Sequence, residues 1–280
     1  MTERAFPKIR LKLALGLAIV LAVLAVSLAA GWLAPFDPDE QSLRLALRPP
    51  IWSGARAVAG HVLGTDQLGR DILSRILYGA RVSVVIAAAV MLASGLIGVL
   101  LGTISGFFGG WVDYTLQKLV EVVWAFPPLL LAIAILAFLG QGLPILILAL
   151  VSQRWIPYCR VARAQALSLR SRDFVVAAQA IGATPWRVIS RHVIPNLLQG
   201  ALVIGTFTMA TAILSEASLS FLGLGVPPEI PSWGGMLADG RAYISTAWWL
   251  ALFPGLAIFA TVFGINLLGD GLRDLLDPRR

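Results

Sequence analysis

The sequence predicts an all-α, polytopic membrane protein with six transmembrane helices. Three observations carry this. Of 280 residues, 58% are hydrophobic and 13% are charged, about half the roughly 25% charge of a soluble domain. The apolar residues fall into long runs, and about 20 such residues span a bilayer as a helix. Between the runs the arginines gather, above all at 160, 163, 170, 172, 187 and 191, as the positive-inside rule expects of a cytoplasmic loop.

The first span covers residues 13–34, behind the basic residues Arg4, Lys8, Arg10 and Lys12. A secretory signal has a shorter apolar core of roughly 7–15 residues. The segment is therefore read as an uncleaved anchor with its basic end in the cytoplasm, although Ser27, Ala29 and Ala30 would suit a cleavage site. Residues 35–79 leave the membrane, and their acids and arginines balance, which suits the outer side. Within them Leu68, Ile72, Leu73, Ile76 and Leu77 recur at helical spacing, with Arg70, Asp71, Ser74 and Arg75 on the other face. That pattern predicts a short amphipathic helix on the outer membrane surface, or a plain elbow into the next span.

The second span is expected at 80–105. Ser94, Gly98, Gly102, Gly106 and Gly110 follow at intervals of four, a ridge without bulk that admits a close neighbour helix. The third span, 113–139, is interrupted by Pro127 and Pro128, which remove two backbone donors and predict a bend. The fourth covers 143–164 and the fifth 196–222. A Gly-, Pro- and Trp-rich outer segment, 223–246, precedes the sixth span at 247–268, and 270–280 forms a polar tail. Six spans that begin inside also end inside, so both termini are expected in the cytoplasm. The loop after the fourth span is then cytoplasmic, and it is the loop that holds most of the arginine.

That loop reads as helix, break, helix. Asp173 can cap the first helix, and Gly182 stands where a helix ends in a left-handed residue. Thr184 caps a second helix with Pro185 at its first position. Ala177, Ala178 and Ala180 make the first helix small on one side. A short, smooth helix facing the cytoplasm is a docking piece.

Ionisable residues within spans are costly unless paired or wetted. Two pairs are expected: Glu121 with Arg154 or Lys118, and Glu216 with Arg81. Each would either fix the packing of helices or break as a pathway opens.

Much chemistry is excluded. The lysines are Lys8, Lys12 and Lys118, none following a glycine, so no phosphate-binding loop of the G-x-x-x-x-G-K type exists. No H-E-x-x-H, C-x-x-C or G-x-S-x-G occurs. Cys159 is the sole cysteine, and His61 and His192 lack ligand spacing, so neither a metal nor a cofactor is implied. The net charge of +7 lies between spans rather than on a basic domain, which argues against nucleic acid as a partner. A passive pathway subunit, not an enzyme, fits best, driven by something bound to the basic loop. An ion-gradient transporter would show inverted repeats with matching broken spans, and none is visible. A scaffold subunit without a pathway is the third alternative.

Ala177, Ala178 and Gly182 resemble the E-A-A-x-x-x-G motif of ATP-binding cassette (ABC) importer permeases, and the trailing I-x-L-P falls on residues 192–195. The acid of the motif is replaced by Val176, as is common in the peptide branch. HVLGTDQLGRDILSRILYGARVS at 61–83 and SEASLSFLGLGVPPEIPSWGGML at 215–237 are similar to the dipeptide, oligopeptide and nickel importers, most of all their second permease. The resemblance covers nearly the whole chain. It implies a type I importer fold: an N-terminal anchor and outer segment at 1–79, a transmembrane domain at 80–272 with a coupling loop at 165–195, and a tail at 273–280. It implies as partners a homologous second permease, two ATPase subunits that hydrolyse ATP, and a periplasmic or lipid-anchored binding protein delivering peptide. Relatives also carry nickel chelates, glutathione or haem. It makes Ala177, Ala178 and Gly182 the ATPase contact, framed by Asp173, Arg187 and Arg191.

Overall fold

The computed structural model describes residues 6–276, and they are helical almost throughout. Among the described residues the only β pairing is an isolated bridge between Thr65 and Asp71. Arg4 and residues 277–280 lie outside the described part, as do the side chains of Lys8 and Arg10. Among the described residues five helices are long and apolar enough to cross a membrane, and a bent pair supplies a sixth crossing if it counts as one span.

Helix α1, Phe6–Leu33, and the last long helix, Trp249–Leu276, pack at very close range. A Cβ at Gly16 would overlap the backbone at Leu268, and one at Gly264 would overlap the Ile19 side chain. Without a hydrophobic drive between helices in lipid, such small-residue contacts supply the van der Waals contact that joins them.

Helix α2, Ile72–Phe108, runs unbroken for 37 residues. The expected surface helix is therefore only its first two turns, and the boundary placed at residue 79 falls inside it. The polar face is also not the exposed one. Arg70, Asp71, Ser74 and Arg75 are all buried, as is Ile72 of the apolar face, whereas Leu73, Ile76 and Leu77 are half-buried. The cause is the preceding loop, which folds over the polar face and pairs its charges. Arg70 Nε lies 2.5 Å from Asp66 Oδ2, Arg75 reaches Asp39 at 3.5 Å, and His61 Nδ1 meets Asp71 Oδ1 at 2.9 Å. Asp71 also caps α2, its Oδ2 accepting from the Ser74 amide at 2.8 Å.

Helix α3, Gly110–Trp124, and helix α4, Pro128–Leu139, meet at 86°. The break sits at Pro127–Pro128 as the sequence predicts, because neither proline can donate to the preceding turn. Helix α5, Leu143–Leu169, packs on the glycine ridge of α2. A Cβ at Gly98, Gly102 or Gly106 would overlap the carbonyl oxygen of Trp155, Cys159 or Arg163 in turn. Ser94 is buried on the same line, but Gly110 is not part of it: it starts α3 and has no neighbour within 4 Å of a would-be Cβ.

Helix α6, Asp173–Ala180, is the loop helix. Beyond it α7, Pro185–Val188, passes through a π-helical turn at Ile189–Val193 into α8, Ile194–Phe221. The second helix of the loop is thus not a separate piece. It is the first turn of a 37-residue helix, Pro185–Phe221, that contains the fifth span. On the opposite side α9, Trp233–Gly240, is pinned to α2 by Trp233 Nε1 donating to the Ile76 carbonyl at 2.9 Å. The last helix, α10, is Trp249–Leu276. It continues through Asp270, Arg273 and Asp274, so the described part of the expected polar tail is helical, and Asp274 lies 3.9 Å from Lys12 of α1.

Candidate functional site

The basic loop holds one short helix on a firm bed. Val175 and Ala178 of α6 are buried in one apolar cluster with Tyr158, Ala162 and Ala166 of α5 and with Val188, Val193 and Leu197 beyond. Every third or fourth residue of α6 therefore faces inward, and the rest face out. Gly182 closes the helix with φ of +88°. Its amide donates to the Gln179 carbonyl at 2.9 Å, and that of Ala183 to the Ala178 carbonyl at 3.0 Å. These bonds satisfy carbonyls that a helix end would leave open, and the left-handed turn favours a residue without Cβ. Thr184 accepts from the Arg187 amide at 3.4 Å, with Pro185 at the first helical position.

Two expectations shift here. Asp173 is not the cap: Arg172 takes the N-cap position, and Asp173 is the first helical residue. Its charge still lies beside the positive end of the helix dipole. Ala178 is not on the outer surface, because the inward face of α6 passes through it and Val175. Asp173, Ala177, Gly182, Arg187 and Arg191 are all exposed. Sequence reading missed the chief feature of that surface. Phe174, Val176, Ile181 and Trp186 stand exposed around the small residues, Ile181 at 87%. The signal was available: four large apolar side chains on a loop too polar to enter the membrane.

The charges within the spans are arranged otherwise than expected. Glu121 accepts from Lys118, one of its two expected partners, at 2.7 Å, and both are exposed. Arg154 does not meet Glu121. It donates to Thr211 Oγ1 at 2.8 Å, the Thr211 carbonyl at 3.0 Å and Ser215 Oγ at 2.6 Å. Glu216, 1% exposed, accepts from Ser220 at 2.7 Å and from Ser232 at 3.1 Å. Among the described residues Arg81 has no carboxylate within 4 Å and is exposed, so the Glu216–Arg81 pair is not formed. Hydroxyls packed beside each charge replace the distant opposite charge. A closer ion pair between spans is one the sequence did not suggest, Asp113 of α3 with Arg163 of α5 at 2.5 Å.

The family described as binding-protein-dependent transport system inner membrane component matches residues 98–280. A putative peptide transport system permease protein of Brucella suis is 44% identical over 266 residues, covering 95% of this chain and 87% of that protein. The di/tripeptide transport system permease protein DppC of Pseudomonas aeruginosa is 43% identical over 265 residues, 94% of this chain and 87% of its own. The oligopeptide transport system permease protein OppC of Bacillus subtilis is 40% identical over 264 residues, 94% and 84% of the two chains. A chain of the inward-facing MetNI methionine ABC transporter superposes with a TM-score of 0.58 at 18% identity, over 72% of this chain and 97% of that one. At that identity the match shows the fold alone, an ABC importer permease fold. The chain belongs to the binding-protein-dependent transport system inner membrane components, the permeases of ABC importers.

Proposed function

We propose that the chain forms half of the translocation pathway of an ATP-driven importer for di- or oligopeptides. A homologous permease supplies the other half, and a binding protein delivers the peptide on the outer side. ATP hydrolysis resides on two separate ATPase subunits. The body of the pathway lies within residues 80–272, the ATPases dock on 165–195, and both termini face the cytoplasm.

One observation carries this most directly: the exposed apolar ridge on α6 and the turn after it. An apolar patch on a basic loop outside the bilayer loses its contact with water only when a partner covers it. Phe174, Val176 and Ile181 make that patch, Ala177 and Gly182 let a partner surface approach the backbone, and Arg187 and Arg191 flank it. Because Val175 and Ala178 bed α6 onto α5 and the start of the long Pro185–Phe221 helix, a push on the ridge moves packed spans as a body.

The test is uptake into proteoliposomes holding the whole complex. Labelled dipeptide should accumulate with ATP and binding protein, and ionophores that abolish ion gradients should leave the rate unchanged. Uptake that needs a gradient and ignores ATP would overturn the proposal.

A further inference from the structure

Arg154 is the twelfth residue of α5, so it sits ~16 Å along the helix from Leu143 at 1.5 Å per residue. That is about the middle of a ~30 Å hydrocarbon core. A guanidinium at this depth is costly and ordinarily pairs with an acid or faces water. Here no acid is in place. Among the described residues no carboxylate comes within 4 Å of it; Glu121 is engaged by Lys118, and the Glu216 carboxylate is turned toward Ser220 and Ser232. The three bonds that Arg154 makes go to neutral oxygens of Thr211 and Ser215. They orient the group but cancel none of its charge. A guanidinium has five N–H donors, so two remain, and the buried Nε has no acceptor.

Arg154 lines a cavity of about 190 Å³ between α4, α5 and α8. Its walls are largely apolar, with Trp124, Leu129 and Leu150 among them. The break between α3 and α4 opens onto the same cavity. Pro128 and Leu129, the first residues of α4, line it, so the positive end of a half-helix faces the space that Arg154 faces. On the other side of the break Gln153 Nε2 donates to the carbonyls of Val123, in the last turn of α3, and of Phe126, just beyond it, at 2.8 and 2.7 Å. The cavity thus brings the Arg154 guanidinium and the first turn of α4 together in an apolar surround. Small-molecule sites run to ~300–1,000 Å³, so this one admits the end of a substrate rather than a whole peptide.

We propose that Arg154, with the N-terminus of α4, is a mid-membrane subsite for the carboxylate end of the transported substrate. It rests on the peptide reading above, since a peptide carries one such group at its C-terminus. A carboxylate arriving there meets the donors that Thr211 and Ser215 leave free on a guanidinium they already hold in place. Such charge-assisted bonds are the strong ones. The subsite gives the permease its own preference for a free carboxylate, additional to whatever the binding protein selects. The neutral partners matter for release: with no acid locked onto it, Arg154 can exchange one passing carboxylate for water.

The test compares a dipeptide with its C-terminal amide in the reconstituted whole complex. Each is supplied at a concentration that calorimetry shows to saturate the binding protein. The wild type should carry the free acid at least about tenfold faster than the amide, the scale of one charged hydrogen bond. Arg154→Gln, assembled normally by gel filtration, should bring the ratio to within about twofold of unity, and Arg154→Lys should keep most of it. Acid and amide slowed alike in Arg154→Gln, a wild-type ratio near unity, or an unchanged ratio in Arg154→Gln would each overturn the subsite while leaving peptide transport standing. A wild-type complex that carries neither compound would instead remove the peptide reading, and the subsite with it.

Discussion

Arg163 holds Asp113 by two parallel hydrogen bonds, Nε to Oδ1 at 2.5 Å and Nη2 to Oδ2 at 2.6 Å. Ser105 Oγ donates to the same Oδ1. One carboxylate therefore joins the last turns of α2, the first turn of α3 and the C-terminal half of α5. Helix α3 has few other anchors, for Val120 is its only buried residue. Asp113→Asn removes the charge and one of the two matched acceptors. Thermal unfolding of the detergent-solubilised protein should show a loss of about 1–3 kcal/mol, the usual size for a hydrogen bond to a charged group. An unchanged midpoint would mean that α3 is held by something else.

The glycine ridge of α2 gives a sharper contrast. Gly98→Ala places a methyl group on the Trp155 carbonyl, a backbone atom that cannot move aside. Gly95→Ala meets the Tyr158 ring at 3.4 Å, an ordinary contact. Gly98→Ala should cost about 1–3 kcal/mol, as overpacking does, and reduce the yield of monodisperse protein. Gly95→Ala should be neutral in the same gel-filtration assay. Equal yields would show that α2 and α5 are less closely packed than described.

These two cases also mark what the sequence can and cannot tell. The ridge at Gly98, Gly102 and Gly106, the break at Pro127–Pro128 and the turn at Gly182 were legible because each follows from local backbone chemistry. Glycine spacing, missing amides and a positive φ depend on near neighbours only. Charge partners were not legible. Arg163 and Asp113 are 50 residues apart, and Arg154 and Ser215 are 61 apart. Their meeting depends on how helices turn about their own axes. The same cause hid the inward direction of Ala178, which is set by the cluster around Val175. The buried polar face at Arg70–Arg75 was misread because hydrophobic spacing alone does not reveal an outer loop that folds over it and pairs every charge.

That outer loop supplies a third prediction. Asp71 binds His61 through Oδ1 and caps α2 through Oδ2. Asp71→Ala removes both functions and leaves a buried imidazole without its partner. The loss should be about 1–3 kcal/mol, the range for a cap plus a buried bond. Limited proteolysis should then cut within residues 35–71 faster than in the wild type. Resistance equal to the wild type would show the loop to be anchored independently of Asp71.

A fourth concerns the turn at the end of α6. A Cβ at Gly182 would meet nothing within 4 Å, yet φ is +88°. Gly182→Arg should therefore cost only about 1 kcal/mol of backbone strain and leave insertion and pairing with the second permease intact. The bulky cation in front of the ridge should reduce ATP-driven uptake to background. Ile181→Asp should release the ATPase subunits during purification, an effect of about tenfold or more in affinity for a central apolar contact. Normal uptake by Gly182→Arg would remove the turn from the docking surface.

The placement of α6 on the inner side, beneath an ATPase, is open to a single labelling measurement. Cys159 is the only cysteine and is buried, so Cys159→Ala gives a clean background for Gln179→Cys, which lies on the exposed side of α6. A membrane-impermeant maleimide should label this residue in inside-out vesicles stripped of ATPase, fail to label it in intact cells, and be blocked when the ATPase subunits are restored. Labelling from outside intact cells, or labelling indifferent to the ATPase, would contradict the coupling role assigned to this helix.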